Sequence, residues 1–247
     1  MTHFICQTCG TQFAETAVPP PYCPICEDER QYINWTGQQW TTLDELRANH
    51  RNLVKTVEPH LTGIGSEPGI AISQRALLVQ TPQGNLLWDC ISLLDDETIT
   101  AVNALGGIDA IAISHPHFYA SMIEWSRAFD APIILHAYNQ PWVMRSDPAI
   151  EYWEGDTKTL VGDLTLIRTG GHFSGSTVLH WAAGANGRGA LLTGDSIYVV
   201  ADRRFVSFMY SYPNLIPLPV PKVAQIVAAV EPYAFDRIIV PGGIGSS

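Results

Sequence analysis

Three stretches far apart in the chain carry side chains that could hold a metal ion. They are Ser114-His115-Pro116-His117, Gly170-Gly171-His172-Phe173-Ser174-Gly175-Ser176 and Thr193-Gly194-Asp195-Ser196. Three imidazoles and one carboxylate are a donor set suited to a hard-to-borderline divalent cation. Each stretch stands where a hydrophobic run gives way to a loop, so a strand end could aim each donor into one cleft. His115 and His117, two apart around a proline, can point the same way from an extended turn. The glycines flanking His172 let backbone approach a ligand closely. Asp195 follows the apolar run Ala190-Leu191-Leu192, and a carboxylate buried there is costly without a metal or a basic partner. Any one of these residues alone could equally be a satisfied polar group at a strand end. Their joint occurrence, with strands between them, favours one site.

The cysteines make a separate pattern. Cys6-Gln7-Thr8-Cys9-Gly10 and Cys23-Pro24-Ile25-Cys26 are two Cys-x-x-Cys turns with thirteen residues between them. Two sulfurs per turn can grip one ion, and four thiolates make a closed tetrahedral site that serves folding rather than catalysis. The turns resemble rubredoxin or zinc-ribbon knuckles. The short loop between them, and Glu27 where a rubredoxin's second knuckle has glycine, favour zinc over iron. Residues 1–38 also hold Pro19-Pro20-Pro21 and little apolar periodicity, so they are expected to form a small metal knuckle ahead of a domain spanning 39–247. A segment so small has too little core to fold alone, and bound metal is expected to supply most of its stability. The fifth cysteine, Cys90, reads as a small buried hydrophobe.

The elements that must position these donors alternate in type. Thr42-x-x-Glu45 is a capping box that predicts a helix start, with Leu43, Leu46 and Leu53 on one stripe. Strands are predicted over 71–80 and 85–90 about a Pro82-Gln83-Gly84 turn, then a helix over 95–105 closed by Gly106-Gly107. A strand over 109–114, a helix over 118–129 and a strand over 132–136 follow. Short strands are predicted over 159–161, 164–169, 177–182 and 190–193, then a helix over 220–230 entered through Pro219 and Pro221, and a last strand over 237–240. Every candidate ligand falls at a strand's C-terminal end. This predicts two sheets between helices with the site at one edge.

Net charge is −10, from 24 acidic and 14 basic residues, and the nearest thing to a basic run is Arg203-Arg204. That disfavours nucleic acid as a partner, because phosphate binding draws on clustered Lys and Arg. There is no signal peptide pattern at the N-terminus and no apolar window of about 18 residues, so neither secretion nor a membrane partner is expected. Paired cysteines suit a reducing compartment, and the cytoplasm is the expected location.

His115-x-His117, Gly171-His172 with Gly175-Ser176, and Thr193-Gly194-Asp195 together resemble the metallo-β-lactamase superfamily over roughly residues 40–247. Leu87-Trp88-Asp89 matches its early strand ending in Asp, and Pro241-Gly242 its late loop. The resemblance implies an α/β fold, the αββα metallo-β-lactamase sandwich, preceded here by the four-cysteine zinc-ribbon-like segment. It implies that His115, His117 and His172 hold a first metal, with Asp195 reaching it or bridging to a second. Three second-site ligands are missing: Tyr119 and Ala120 replace an Asp and a His, and Gly243 and Ile244 stand where a last histidine is usual. The chain also stops directly after this loop, where many relatives continue into a helix. A mononuclear centre is therefore expected.

A single zinc there would lower the pKa of a bound water towards ~7 for attack on an ester, thioester, lactone or amide of a small-molecule substrate. Asp195 would be catalytic as well as a ligand. Tyr119, with an ordinary pKa near ~10, would donate a hydrogen bond to a developing oxyanion rather than act as a base. Two alternatives stay open. Persulfide dioxygenases of the same superfamily bind one iron through the equivalents of His115, His172 and Asp195. A metal-stabilised binding protein without catalysis is also compatible with the lost ligands. His136, ending a strand, and His180, within one, read better as structural histidines. The aromatic segments at 205–219 and around Trp142, Tyr152 and Trp153 suit core packing or a homodimer. Lining the cleft, they would favour an apolar substrate.

Overall fold

The computed structural model describes residues 1–241, so the expectation of a late loop without its histidine, at Gly243 and Ile244, lies outside the described residues. Two sheets face each other. The larger has seven strands in spatial order Arg51–Glu58, Leu61–Glu67, Arg75–Thr81, Gly84–Trp88, Ala110–Ala112, Ile133–His136 and Ile150–Trp153. Its first four strands are antiparallel neighbours, and from Gly84–Trp88 onward every pair is parallel. Parallel neighbours need a crossover, which the helices Asp96–Ala104 and Met122–Phe129 and the 3₁₀ segment Ala137–Trp142 supply for the three pairs in turn. The smaller sheet runs Thr157–Thr159, Leu164–Arg168, Thr177–Trp181, Ala190–Leu192 and Arg237–Ile239.

Alternation along the strands sorts side chains into layers. Leu77, Val79, Leu86 and Trp88 face Leu164, Leu166, Leu179 and Leu192 between the sheets. Leu78, Leu87 and Ile111 turn outward against Val102, Met122 and Trp125 of the two crossover helices. On the other side, Ile167, Val178 and Leu191 pack on Ile226 and Val230 of the helix Val220–Val230. The layers are α, β, β, α, as the resemblance implied.

Some elements differ from expectation. The capping box at Thr42 is formed, but its helix ends at Asn49 and Leu53 lies on the strand Arg51–Glu58. The run Val54-Lys55-Thr56-Val57 is β-branched and alternating, which suits a pleated surface better than a fourth helical turn. The strand Leu61–Glu67 carries Gly63 and Gly65, and glycine hides a strand from propensity. Residues 116–118 form a 3₁₀ turn instead of the start of the helix Met122–Phe129. The knuckle is bonded to the larger domain. Ile5–Cys6 pairs with Trp40–Thr41 across the expected boundary at residue 38, Gln12 N donates to Ala120 O, and Ala14 N donates to Met144 O.

Candidate metal centre

Each donor leaves its sheet at the same edge of the sandwich. His115 and His117 follow the strand Ala110–Ala112, His172 follows Leu164–Arg168, and Asp195 follows Ala190–Leu192. Two contacts hold the edges in register: Thr177 N donates to Ser114 O at 3.0 Å, and the loop of Asp195 presses on that of His115. Gly194 makes this approach possible. It has φ +50°, and a Cβ there would stand 2.5 Å from Ser114 Oγ.

The four predicted donors converge. Asp195 Oδ2 lies 3.2 Å from His115 Nε2, 3.8 Å from His172 Nε2 and 4.0 Å from His117 Nδ1, and His172 Nε2 is 3.3 Å from His117 Nδ1. Donors on ~2 Å arms around one tetrahedral ion stand ~3.3 Å apart, so the spacing fits a cation. Buried His115 Nε2 makes no well-directed hydrogen bond within the protein, as an atom reserved for a metal would not. Two outward nitrogens are anchored: His172 Nδ1 lies 3.2 Å from Met209 O and His115 Nδ1 2.9 Å from Ser114 Oγ, whereas His117 Nε2 is buried without a partner. For His172 that carbonyl requires a protonated Nδ1 and leaves Nε2 bare for a metal.

The electrostatics match. Burial, reinforced by the neighbouring imidazoles, pushes the pKa of His172 well down, and burial likewise lowers that of His117. Both rings are thereby held neutral and ready to ligate. Burial opposes ionisation of Asp195, but the imidazoles, His115 first, outweigh it and hold the carboxyl well below the ordinary range. Behind the pair, fully buried Asp89 accepts from Ser114 N at 2.8 Å and so fixes the residue before His115.

A cleft of about 230 Å³ opens on this cluster, lined by His117, His172 and Asp195 together with Arg30, Tyr198 and Tyr212. Asp195 keeps 15% of its side chain exposed against 1–3% for the imidazoles, so it is the ligand an incoming water meets. Tyr212 donates its hydroxyl to Asp195 O at 2.9 Å. The aromatic segment at 205–219 thus contributes to the cleft, and Trp142 lies beside it against Phe173.

Tyr119 is a correction. It is fully buried in the core beside the helices, away from the cleft lining, and its hydroxyl donates to Asn139 O at 3.1 Å. The hydroxyl is already used, and burial raises its pKa well above 10, so it is not poised to meet an oxyanion. Its effect runs through Asn139, whose side-chain amide donates to Gly175 O and accepts from Gly175 N, clamping the loop of His172. The other substituted position, Ala120, is buried, and its backbone O accepts from Gln12 N of the knuckle. His136 and His180 are structural, bonded to Gly155 O and Ala234 O.

Cys6, Cys9, Cys23 and Cys26 form a second cluster, all buried. Sγ–Sγ separations are 3.6 Å for Cys6–Cys26 and 3.7 Å for Cys9–Cys23. A disulfide needs ~2.05 Å, whereas sulfurs on ~2.3 Å arms around one tetrahedral ion stand ~3.8 Å apart. Gln38 Nε2 points at Cys6 Sγ from 3.2 Å, a donor suited to a thiolate. Among the described residues no third such grouping occurs.

Sequence reasoning missed Arg30, Gln74 and Asn139, none of which carries a local motif, since the contact of each with the site is to a residue at least 36 positions away.

No family model matches the chain. The uncharacterized protein YmaE of Bacillus subtilis strain 168 is 53% identical over 240 residues, covering 96% of this chain and 88% of YmaE. Among solved structures, the metallo-β-lactamase SMB-1 superposes with TM-score 0.54 at 17% identity, over 76% of this chain and 79% of its own. VMB-1 superposes with TM-score 0.58 at 14% identity, over 78% and 90%. MEM-A1, a subclass B3 metallo-β-lactamase from a soil metagenome library, gives 0.53 at 18%, over 76% and 78%. At such identities the likeness is one of fold.

Proposed function

Because this chain belongs to one family with YmaE and is built on the fold of the metallo-β-lactamase superfamily, we propose that it is a metal-dependent hydrolase with a mononuclear zinc centre. The observation that carries this reading is the convergence of His115, His117, His172 and Asp195 at the floor of an open cleft. These four residues would hold the ion, and Cys6, Cys9, Cys23 and Cys26 would hold a separate structural zinc. An ion at the histidine cluster supplies Lewis acidity, activating water near neutral pH and polarising an ester, thioester, lactone or amide carbonyl.

The chain's own residues do the rest. Neutral His117 and His172 and ionised Asp195 present lone pairs without first shedding protons. Asp195, on the exposed side of the cluster, orients the incoming water. Tyr212 fixes the backbone of Asp195 and, with Tyr198, walls the cleft with aromatic surface that suits a small, largely apolar acyl group. Tyr119, turned into the core, and Ala120, which has no donor group, offer no ligand to a second ion, and this supports one ion rather than two.

The test is elemental analysis joined to an activity panel. Wild type is expected to carry two zinc ions per chain and to hydrolyse one or more of a set of esters, thioesters and lactones. His172→Ala is expected to retain one ion and to lose at least 100-fold in rate, the scale on which such electrostatic stabilisation acts. Iron at the histidine cluster with oxygen consumption would select a dioxygenase instead, and a filled site inert across the panel would point to a binding role.

A further inference from the structure

The four-cysteine knuckle is wired into the backbone of two of the histidine ligands. Gln74 is buried, and its Nε2 donates one hydrogen to Cys9 O at 2.9 Å and the other to His117 O at 2.6 Å. One amide thus joins a ligand of each cluster. A second arm leaves from Cys26. The short helix Pro24–Glu27 ends at Asp28, whose carboxylate forks onto Arg30 with contacts of 2.6 and 2.8 Å. The guanidinium of Arg30 lies 3.9 Å from the centre of the Phe173 ring, and its Nη1 donates to His172 O at 3.2 Å. With three of its donors taken, Arg30 holds position rather than offering its charge to a substrate.

The packing around these arms leaves little slack. Ser92 Oγ donates to Gly10 O at 2.9 Å, and a Cβ on Gly10 would stand 2.5 Å from Ser92 Oγ and 2.8 Å from Gln74 Oε1. The knuckle is bonded to the larger domain, but its own buried cluster is small and mostly sulfur. Its buried cluster is Cys6, Cys9, Phe13, Cys23, Ile25 and Cys26. A filled four-thiolate site would fix the Cys9 and Cys26 turns from which the two arms leave, and an empty one would loosen those turns.

Resting on the reading that both clusters hold metal, we propose that the two sites are energetically coupled, with Gln74 and Arg30 as positioning residues through which the cysteine-bound ion sets the affinity of the histidine cluster. Partners bonded to a ligand's own ring change metal affinity by ~10- to 100-fold when removed, and Gln74 and Arg30, which hold the ligands' backbone, are expected together to act on that scale. Coupling between binding equilibria is reciprocal, so loading the histidine cluster must tighten the knuckle by the same factor.

The experiment measures zinc affinity at the histidine cluster of the full chain by competition with a chromophoric chelator. Cobalt substitution separates the sites, since only the four-thiolate site gives strong sulfur-to-metal charge transfer. Cys9→Ser/Cys26→Ser, which cannot fill the knuckle, is expected to bind zinc at the histidines ~10- to 100-fold more weakly than wild type. Gln74→Leu/Arg30→Met, with the knuckle filled, is expected to lose a comparable factor. The quadruple variant is expected to lose less than the product of the two, because both pairs act through one connection. Unchanged affinity in the cysteine variant, or losses that simply multiply, overturns the coupling. If the cysteine variant does not fold, reciprocity decides in wild type. The knuckle's equilibrium zinc affinity, read by chelator competition, should rise ~10-fold or more once the histidine cluster is loaded, and an equal affinity overturns the proposal. A histidine cluster in wild type that binds no metal overturns the hydrolase reading as well, whereas one that binds metal independently of the knuckle overturns the coupling alone.

Discussion

Asp89 stands behind the histidine pair, at φ +62° and fully buried, and its environment has a consequence that can be measured. Burial raises its pKa to about 7, against the partial compensation of His115 and Ser114. Between the unfolded carboxyl's ~4 and about 7, the metal-free folded chain keeps a proton that the unfolded chain gives up. Stability therefore falls as pH rises through that window, by up to about 4 kcal/mol. Asp89→Asn keeps an acceptor for Ser114 N and tolerates the left-handed backbone, but cannot ionise. Urea titrations of metal-free protein should show it gaining on wild type between pH 5 and 7.5, and parallel curves would refute the buried proton. Asp89→Ala strands the Ser114 N–H and should cost ~1–3 kcal/mol at pH 5, a cost that shrinks or reverses by pH 7.5 because alanine cannot ionise either.

Among elements, the helix Leu43–Asn49 shows how a short segment earns its place. Thr42 Oγ1 accepts from Glu45 N at 3.2 Å while Glu45 Oε2 accepts from Thr42 N at 3.0 Å, and Leu46 packs against Ile5 and Leu93. The helix thereby seats the strand that carries Cys6. Thr42→Ala is expected to cost ~1 kcal/mol in denaturant unfolding, and Thr42→Ser much less. An alanine variant as stable as wild type would mean that packing alone holds the helix. The capping box and the proline-led helix Val220–Val230 were legible because their signals are local. The strand Leu61–Glu67 was not, because its register comes from neighbours on both sides and not from its own glycine-bearing sequence.

At the scale of the molecule, the core between the sheets and the knuckle differ in what sustains them. The first buries many large side chains, the second mostly sulfur. Stripping metal with a strong chelator should therefore expose the amides of Cys6 and Gly10 to hydrogen exchange while those of Leu77 and Val79 stay protected. Equal protection in both regions after stripping would deny the ion a structural part. No helix among the described residues is long and apolar enough to cross a membrane.

The sequence by itself determined the donor set and the layer order. Each ligand is announced by a hydrophobic run ending in Gly, His or Asp, and alternation along a strand assigns its inner and outer faces without reference to anything distant. Only the tertiary structure decided what stands behind the donors. It turned Tyr119 from a cleft residue into a core residue that holds Asn139, bonded Ala120 to Gln12 of the knuckle, and joined Gln74 and Arg30 to two histidine loops. Those outcomes depend on hydrogen bonds between positions 20 to 142 apart in the chain, and such pairs leave no period, cap or turn signature in either partner's own neighbourhood.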